Sequence, residues 1–530
     1  MKRQIAQAID GLRCGDDAST SFGLNLSQPA RPSTPHRKSP WGTNSGQINL
    51  EHPSARSIGL RASLLALVLA GCAVGPDYQR PAFDLPSSWS AVQADGTETA
   101  RAADTAGERW WLLYADPVLD RLIDDALQHN ADAAVAAARV LEARAVSGLT
   151  DADLYPSVSA GLSGNRTQSS LRGTFPVQGV PRIQNSYRAT LDASYELDLW
   201  GKYRRASEAS RAELFAAESA RDALFLSLTA QVAQQYFALI AADAQTALTQ
   251  QTLASRDETL TLFAQRRDAG MLSEYDLRQA EAEQAATRSQ LAGLRQAQDR
   301  IESALAVLLG RSPREVMDGR IERGSPPVLT ELVVPAGLPS DLLLRRPDLK
   351  EAEQRLIAAN ARIGNARAQY FPSVGLTAYL GGESVEFSQL FSGPAGIFQF
   401  AAAITQPIWN VGRIRASVEA SEARRDQALA QYQKAVASAF KDLRDALAEQ
   451  NAARETLDAE SARAGALEKA LESAKQRFDA GIASRLDVLD VERNLLNAEL
   501  ARIDSERARK AALADLFKAL GGGWPGKTDG

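Results

Sequence analysis

Residues 266–277 read RRDAGMLSEYDL, and residues 477–488 read RFDAGIASRLDV. Arg266 matches Arg477, Asp268 matches Asp479, Gly270 matches Gly481, Ser273 matches Ser484 and Asp276 matches Asp487, at a constant offset of 211 (477 − 266). A second pair of stretches, 130–164 and 346–382, aligns at an offset of 216: Asp132 with Asp348, Arg139 with Arg355, and Pro156-Ser157-Val158 with Pro372-Ser373-Val374. A chain that repeats itself over this length builds one supersecondary unit twice, and each copy buries its apolar face against the other. The five-residue difference (216 − 211) falls between about 159 and 412, and hairpin-tip loops absorb such changes best.

Each copy carries the same internal order. An Ala-rich helical stretch comes first, then two short alternating segments, then a very long helical stretch, the quoted corner and a last helix. Residues 202–268 contain neither Gly nor Pro, and 413–478 contain only Gly465. A helix of that span reaches roughly 100 Å at 1.5 Å per residue. Leu429, Tyr432, Val436, Phe440, Leu443 and Leu447 recur in steps of three and four, the seam of a coiled-coil-like packing. Periodicity alone leaves a simple structural coiled coil open.

The alternating segments narrow the choice. In 187–199, Tyr187, Ala189, Leu191, Ala193, Tyr195, Leu197 and Leu199 share one face; Arg188, Thr190, Asp192, Ser194, Glu196 and Asp198 share the other. A period of two this long is a strand with one apolar and one polar face, and about 9–11 residues suffice for a tilted transmembrane strand. Val158/Ala160/Leu162, Val374/Leu376/Ala378/Leu380 and Phe398/Phe400/Ala402/Ile404 give three more strands. Past the leader, no run is read as reaching the 18 or so apolar residues of a spanning helix, so a membrane crossing requires a closed β-barrel. Four strands cannot close one, since the smallest membrane barrels use about eight. A dimer gives eight strands and a trimer twelve; the polar inner face favours the wider, water-filled option.

Composition removes whole classes. The net charge is −5, without the basic excess of a nucleic-acid binder. Three histidines (His36, His52, His129) and two cysteines (Cys14, Cys72) exclude a disulfide framework and a zinc cluster. No nucleophile–base motif, phosphate loop or metal spacing is present, so neither enzyme activity nor a cofactor is expected.

Cys72 has its own context. Arg56 and Arg61 precede an apolar stretch that ends in Leu69-Ala70-Gly71-Cys72, the layout of a secretory signal. It resembles the bacterial lipobox, which implies cleavage before Cys72 and lipidation of its thiol; Ala73, in place of Asp, favours the outer membrane. Residues 1–55 are polar and aperiodic, and read as an extension from a mis-called start. The expected division is 1–71 signal peptide with that extension, 72–109 lipid-anchored linker, 110–310 first repeat, 311–347 inter-repeat linker, 348–521 second repeat and 522–530 tail.

Taken together, "LAGCAVGPDYQRP", "WWLLYADPVLDRLIDDALQHN", "VPAGLPSDLLLRRPDLKEAEQRLIAANARIGNARAQYFPSVGLT" and the paired corners resemble the TolC-like outer-membrane efflux proteins, in the lipoprotein branch that serves resistance–nodulation–division pumps. The resemblance covers 70–524. It implies a mainly α fold with β: long-helix hairpins of two repeats form a trimeric α-barrel, and four strands per chain contribute to a 12-stranded transmembrane β-barrel. It implies a homotrimer that meets outer-membrane lipid, a periplasmic adaptor and an inner-membrane pump, with the corners at the periplasmic mouth. The alternatives from the residues alone are a lipid-anchored coiled-coil spacer or an adaptor without a pore.

The corner supports two chemistries. Ser273 and Ser484, each three residues before an Asp, fit helix capping, and Gly270 and Gly481 fit the left-handed residue that ends the descending helix. Asp490 lies too deep to cap, its counterpart is Gln279, and it shares a helix face with Asp487. Rings of Asp around an axis select cations. The resemblance places the closed gate at Asp487 and Asp490, with Asp276 in the first repeat. The family's gating Arg is replaced by Ala483; Arg485 lies nearby on a different face.

Overall fold

The computed structural model describes residues 73–86, 109–172, 181–324 and 345–522. Cys72, the signal stretch before it and the tail from 523 lie outside the described residues. After a 3₁₀ turn at Trp110–Tyr114, the chain forms α1 (Pro117–His129), α2 (Ala131–Ala152), β1 (Ser157–Gln168), β2 (Ile183–Leu197), α3 (Lys202–Asp268), α4 (Glu274–Leu308) and α5 (Pro313–Asp318). It continues with α6 (Pro347–Ala368), β3 (Ser373–Ser384), β4 (Gly396–Thr405), α7 (Arg413–Asp479) and α8 (Arg485–Ala519).

The lengths repeat along with the order. α3 and α7 each have 67 residues, α4 and α8 each have 35, and α2 and α6 each have 22. From the end of β1 to the start of α3 is 34 positions (202 − 168); from the end of β3 to the start of α7 is 29 (413 − 384). The five-residue difference therefore sits in the strand hairpins. β2 stops at Leu197 rather than 199, because the chain turns through Trp200 into Gly201 at φ +78°. β4 stops at Thr405: Pro407 has no amide to continue the ladder, and Gln406 Nε2 turns back to donate to Tyr370 O at 3.1 Å.

The core lies where the long helices meet the N-terminal elements. Trp110 stacks on Phe517 at 5.3 Å, and Tyr236, Phe237, Leu239 and Tyr432 are almost wholly buried beside them. Each such side chain contributes about 1.5–3 kcal/mol of burial. Asp116 caps α1 through Val118 N at 2.9 Å and accepts from the Tyr236 hydroxyl at 2.7 Å, so the buried carboxylate is satisfied. One window of α3 is apolar and long enough to cross a membrane by composition, which the sequence reading missed. α3 owes that apolarity to the core: Val232, Ala233, Tyr236, Phe237 and Leu239 all sit there.

Residues 73–86 run as an extended strap across both repeats. Val74 N donates to Trp200 O at 3.0 Å, and Gly75 (φ +117°) passes so close to Gly364 that a Cβ would lie 2.5 Å from its Cα. Asn360 then donates to Pro76 O at 2.8 Å, and Arg205 pairs with Asp77 at 2.6 Å. Arg80 forms a two-pronged ion pair with the buried Glu353 at 2.7 and 2.8 Å, Tyr78 adds a 2.9 Å bond to it, and Phe83 meets Tyr432 edge-on at 5.3 Å.

Candidate channel wall and mouth

The four strands form one antiparallel sheet in the order β1-β2-β3-β4, so β1 and β4 are its edges. The register turns sequence alternation into continuous rows. Val158 lies beside Ala193, Ala193 beside Ala378 and Ala378 beside Phe400; Ala160, Leu191, Leu380 and Phe398 form the next row. A one-residue slip would have broken every row. These side chains are unusually exposed: Val158 70 %, Leu380 61 %, Phe398 86 %, Phe400 72 %. An apolar face of this extent needs a nonaqueous partner.

The opposite face is polar. Thr190 Oγ1 donates to Asp192 at 2.8 Å, Arg188 pairs with Glu383 at 3.8 Å and lies 4.4 Å from the Tyr379 ring centroid, and Ser157 and Ser194 share a 2.7 Å hydroxyl contact. Where the sheet joins the helices, Trp200 stacks on Phe371 at 4.7 Å, and Tyr155, Ile408 and Trp409 are exposed. Such aromatics mark a membrane–water boundary. Ala73, next to Cys72 in sequence, packs against Gly201 at this level.

At the far end, both corners are built alike. Gly270 (φ +72°) and Gly481 (φ +70°) each end a long helix in the left-handed region, with open space around them, so only the backbone angle demands glycine. Met271 N bonds Arg266 O and Ile482 N bonds Arg477 O, both at 2.8 Å, which closes the helix end through a six-residue loop. Ser273 then caps α4, accepting from Asp276 N at 3.1 Å and donating to the Asp276 carboxylate at 2.6 Å. In the second repeat the box is reciprocal: Asp487 N donates to Ser484 Oγ at 3.3 Å, and Ser484 N donates to Asp487 Oδ2 at 2.7 Å. The bonds from the Ser484 amide and hydroxyl hold the Asp487 carboxyl below its ordinary range.

Asp490 is exposed one turn further on. It accepts from Arg493, three residues along α8, and from Asn494 Nδ2 at 3.2 Å. Arg493 also reaches across to Glu283 of α4, at 3.7 Å, and Glu283 accepts from the buried Arg256 at 3.2 Å. Arg485 lies 5.4 Å from the Phe263 centroid, 5.6 Å from that of Phe478 and 3.9 Å from Glu492, joining α8 to α3 and α7. The sequence reading missed Arg256, Glu283 and Arg493. The spacing Asp490-x-x-Arg493 was a visible signal for one pair; the contact between Arg493 and Glu283 spans 210 positions (493 − 283) and left no local trace.

A sheet with one lipid-compatible face, joined to helix hairpins about 100 Å long, defines a class: outer-membrane channels in which a β-barrel continues into a helical duct. The chain belongs to the outer membrane efflux protein family, whose pattern matches residues 122–311 and 338–522. It is 36 % identical over 463 residues to the solvent efflux pump outer membrane protein SrpC of Pseudomonas putida, covering 86 % of this chain and 97 % of that one. It is 35 % identical over 460 residues to the cation efflux system protein CusC of Escherichia coli O6:H1, covering 87 % and 97 %. The crystal structure of the Campylobacter jejuni CmeC outer membrane channel superposes with a TM-score of 0.80 at 26 % identity, covering 86 % and 96 %. The protein is thus an outer-membrane efflux channel, TolC-like in fold, and its family and relatives are channel proteins rather than enzymes.

Proposed function

We propose that three copies of this chain form the exit duct of a tripartite efflux pump. Edge strands β1 and β4 of neighbouring copies pair to close a twelve-stranded barrel with a polar lumen. The observation that carries this reading is the sheet itself: a broad exposed apolar face, a polar opposite face and two open edges, a combination that closure in lipid satisfies. Each chain contributes two corners to the periplasmic mouth. The exposed Met271 and Ile482 at their tips offer an apolar contact to a periplasmic adaptor, which joins the duct to an inner-membrane pump of the resistance–nodulation–division type. Cys72 carries the lipid, and the packing of Ala73 against Gly201 supports its placement at the membrane boundary.

The gate is assigned to Asp490, on the helix whose start Ser484 and Asp487 cap; Asp276 holds the matching position on α4, bonded to its cap Ser273. Each Asp490 has Arg493 beside it, so the ring alternates carboxylate and guanidinium instead of crowding bare acids. With Ala483 where the family has its gating Arg, Arg493 bridging to Glu283 and Arg485 between Phe263 and Phe478 supply the closed-state ties between hairpins. Cargo is not fixed by this wall: solvent and cation systems sit at 36 % and 35 % identity to the chain. Native mass spectrometry of the detergent-extracted protein should give a trimer, and planar bilayers should show discrete conductance steps. A monomer that inserts and conducts nothing would sink the proposal.

A further inference from the structure

The connection between β3 and β4 does more than turn the chain. Residues 385–395 fold back in two 3₁₀ turns over the apolar face of the sheet, at the end away from the helices. Leu390 is buried beneath the fold, and a Cβ on Gly382 would lie 2.3 Å from Leu390 O, so glycine is what lets the loop approach. Phe387 packs edge-on against Tyr187 of that same face at 5.6 Å. Between loop and sheet lies a cleft of about 490 Å³ lined by Ala160, Leu191, Leu380, Leu390 and Phe391, within the size of sites that hold one small ligand. Its floor continues the rows that face lipid, yet Phe391 stands 81 % exposed at its mouth.

We propose that this cleft holds one acyl chain of a phosphorylated glycolipid of the outer leaflet. This rests on the barrel reading above, which turns the apolar face towards the membrane. Three observations select the occupant. The cleft is open to that face and lined chiefly by carbon, and its two side-chain hydroxyls are already bonded, Thr190 to Asp192 and Ser392 to Gln389 O, so an acyl chain enters without stranding them. It sits at the distal end of the strands, the outer leaflet when the helices lie in the periplasm. Arg166 on β1, opposite Asn185, is exposed on the same face and nearer still to the rim, so a guanidinium stands at headgroup height to pair with a phosphate. The loop residues 385–395 contain a single acid, Glu386, already bonded to Gln389 at 3.2 Å.

The test uses the full trimer in nanodiscs doped with hexa-acylated lipid A or, in a second arm, with phosphatidylglycerol, read by native mass spectrometry after collisional release of loose lipid. Wild-type protein should keep up to three lipid A molecules per trimer and shed phosphatidylglycerol. Leu191→Trp, which fills the cleft with a membrane-compatible side chain, and Phe391→Ser, which opens its mouth without touching a strand, should each cut retention at least fivefold. Arg166→Ser should do the same for lipid A and leave phosphatidylglycerol unaffected. Equal lipid A retention in Leu191→Trp and wild type overturns the proposal, as does equal retention of the two lipids, which marks ordinary annular lipid. The same spectra report assembly: loss of the trimer in wild type strikes at the duct reading, whereas an intact trimer without lipid A strikes at this site alone.

Discussion

Breaking the tie between Arg493 and Glu283 should open the mouth, and the geometry bounds by how much. The pair stands at 3.7 Å, with Glu283 16 % and Arg493 51 % exposed. At an effective dielectric of about 20 the bare Coulomb attraction would be about 4.5 kcal/mol. Half of Arg493 is in water and its charge is shared with Asp490, so the measured range for exposed pairs, about 0.2–1 kcal/mol, governs instead. Three copies then bias the closed state by about 0.6–3 kcal/mol, an increase of roughly 3- to 140-fold in the open-to-closed ratio once they are lost. The substitutions of choice are Arg493→Ala and Glu283→Gln. The glutamine keeps the side-chain acceptor for buried Arg256, which an alanine would leave with Glu283 O and Thr287 Oγ1 alone. Open probability in planar bilayers reads the effect, and the double variant isolates the bridge from the contact between Arg493 and Asp490. If Arg493→Ala leaves open probability at the wild-type value, or the two single effects add with no coupling, the tie does not hold the gate.

Further outcomes follow from the same contacts. Mass spectrometry of the mature N-terminus should find an acylated Cys72 and nothing from 1–71; intact residues 1–55 on the membrane-bound protein would contradict the signal reading. Single cysteines at Arg188, Thr190 or Asp192 should react with small aqueous thiol reagents, and those at Ala189 or Leu191 should resist; equal labelling would refute the barrel strand. Asp490→Asn should lower cation selectivity or raise conductance and weaken block by divalent cations from the periplasmic side, and unchanged values of all three move the constriction to Phe478 and Arg485. Because the Asp487 pKa is depressed in the fold, its stabilising contribution is present above the ordinary carboxylate range and fades as pH falls through the lowered folded value. The protection of amides at the start of α8, corrected for the intrinsic pH dependence of exchange, should therefore fall in strong acid in the wild type. Asp487→Asn should flatten that dependence, and protection indifferent to pH in both proteins contradicts the reciprocal cap.

What the sequence could show was what repeats or alternates. Both long helices, Lys202–Asp268 and Arg413–Asp479, are visible as runs nearly free of Gly and Pro, because each interior glycine or proline would cost about 1–3 kcal/mol. The strands are visible because one face of each meets a different solvent from the other. Corner chemistry is visible because caps are made within four residues. Pairings set by tertiary approach were silent: Glu353 with Arg80 across 273 positions, Arg493 with Glu283, and the loop over Gly382. Such contacts depend on which helix faces which, and no spacing within a helix encodes that.

The strap from Ala73 to Pro86 has a mechanical meaning. It is a mooring line of fixed length: fourteen extended residues span at most roughly 50 Å, belayed at Trp200, Asn360, Arg205, Glu353 and Tyr432. Slack is absent, so a pull on its upper end passes into the helices of both repeats through Arg205, Glu353 and Tyr432, short of the corners. The belay points come from the turn before α3 and from α3, α6 and α7, and they exist together only after the two repeats have packed. On the proposed lipidation of Cys72 and pairing of β1 with β4 of the next copy, a chain still unfolded would hang on its lipid as a loose float, and a folded one would be held at a set height and heading, with its sheet edges in the plane where they pair.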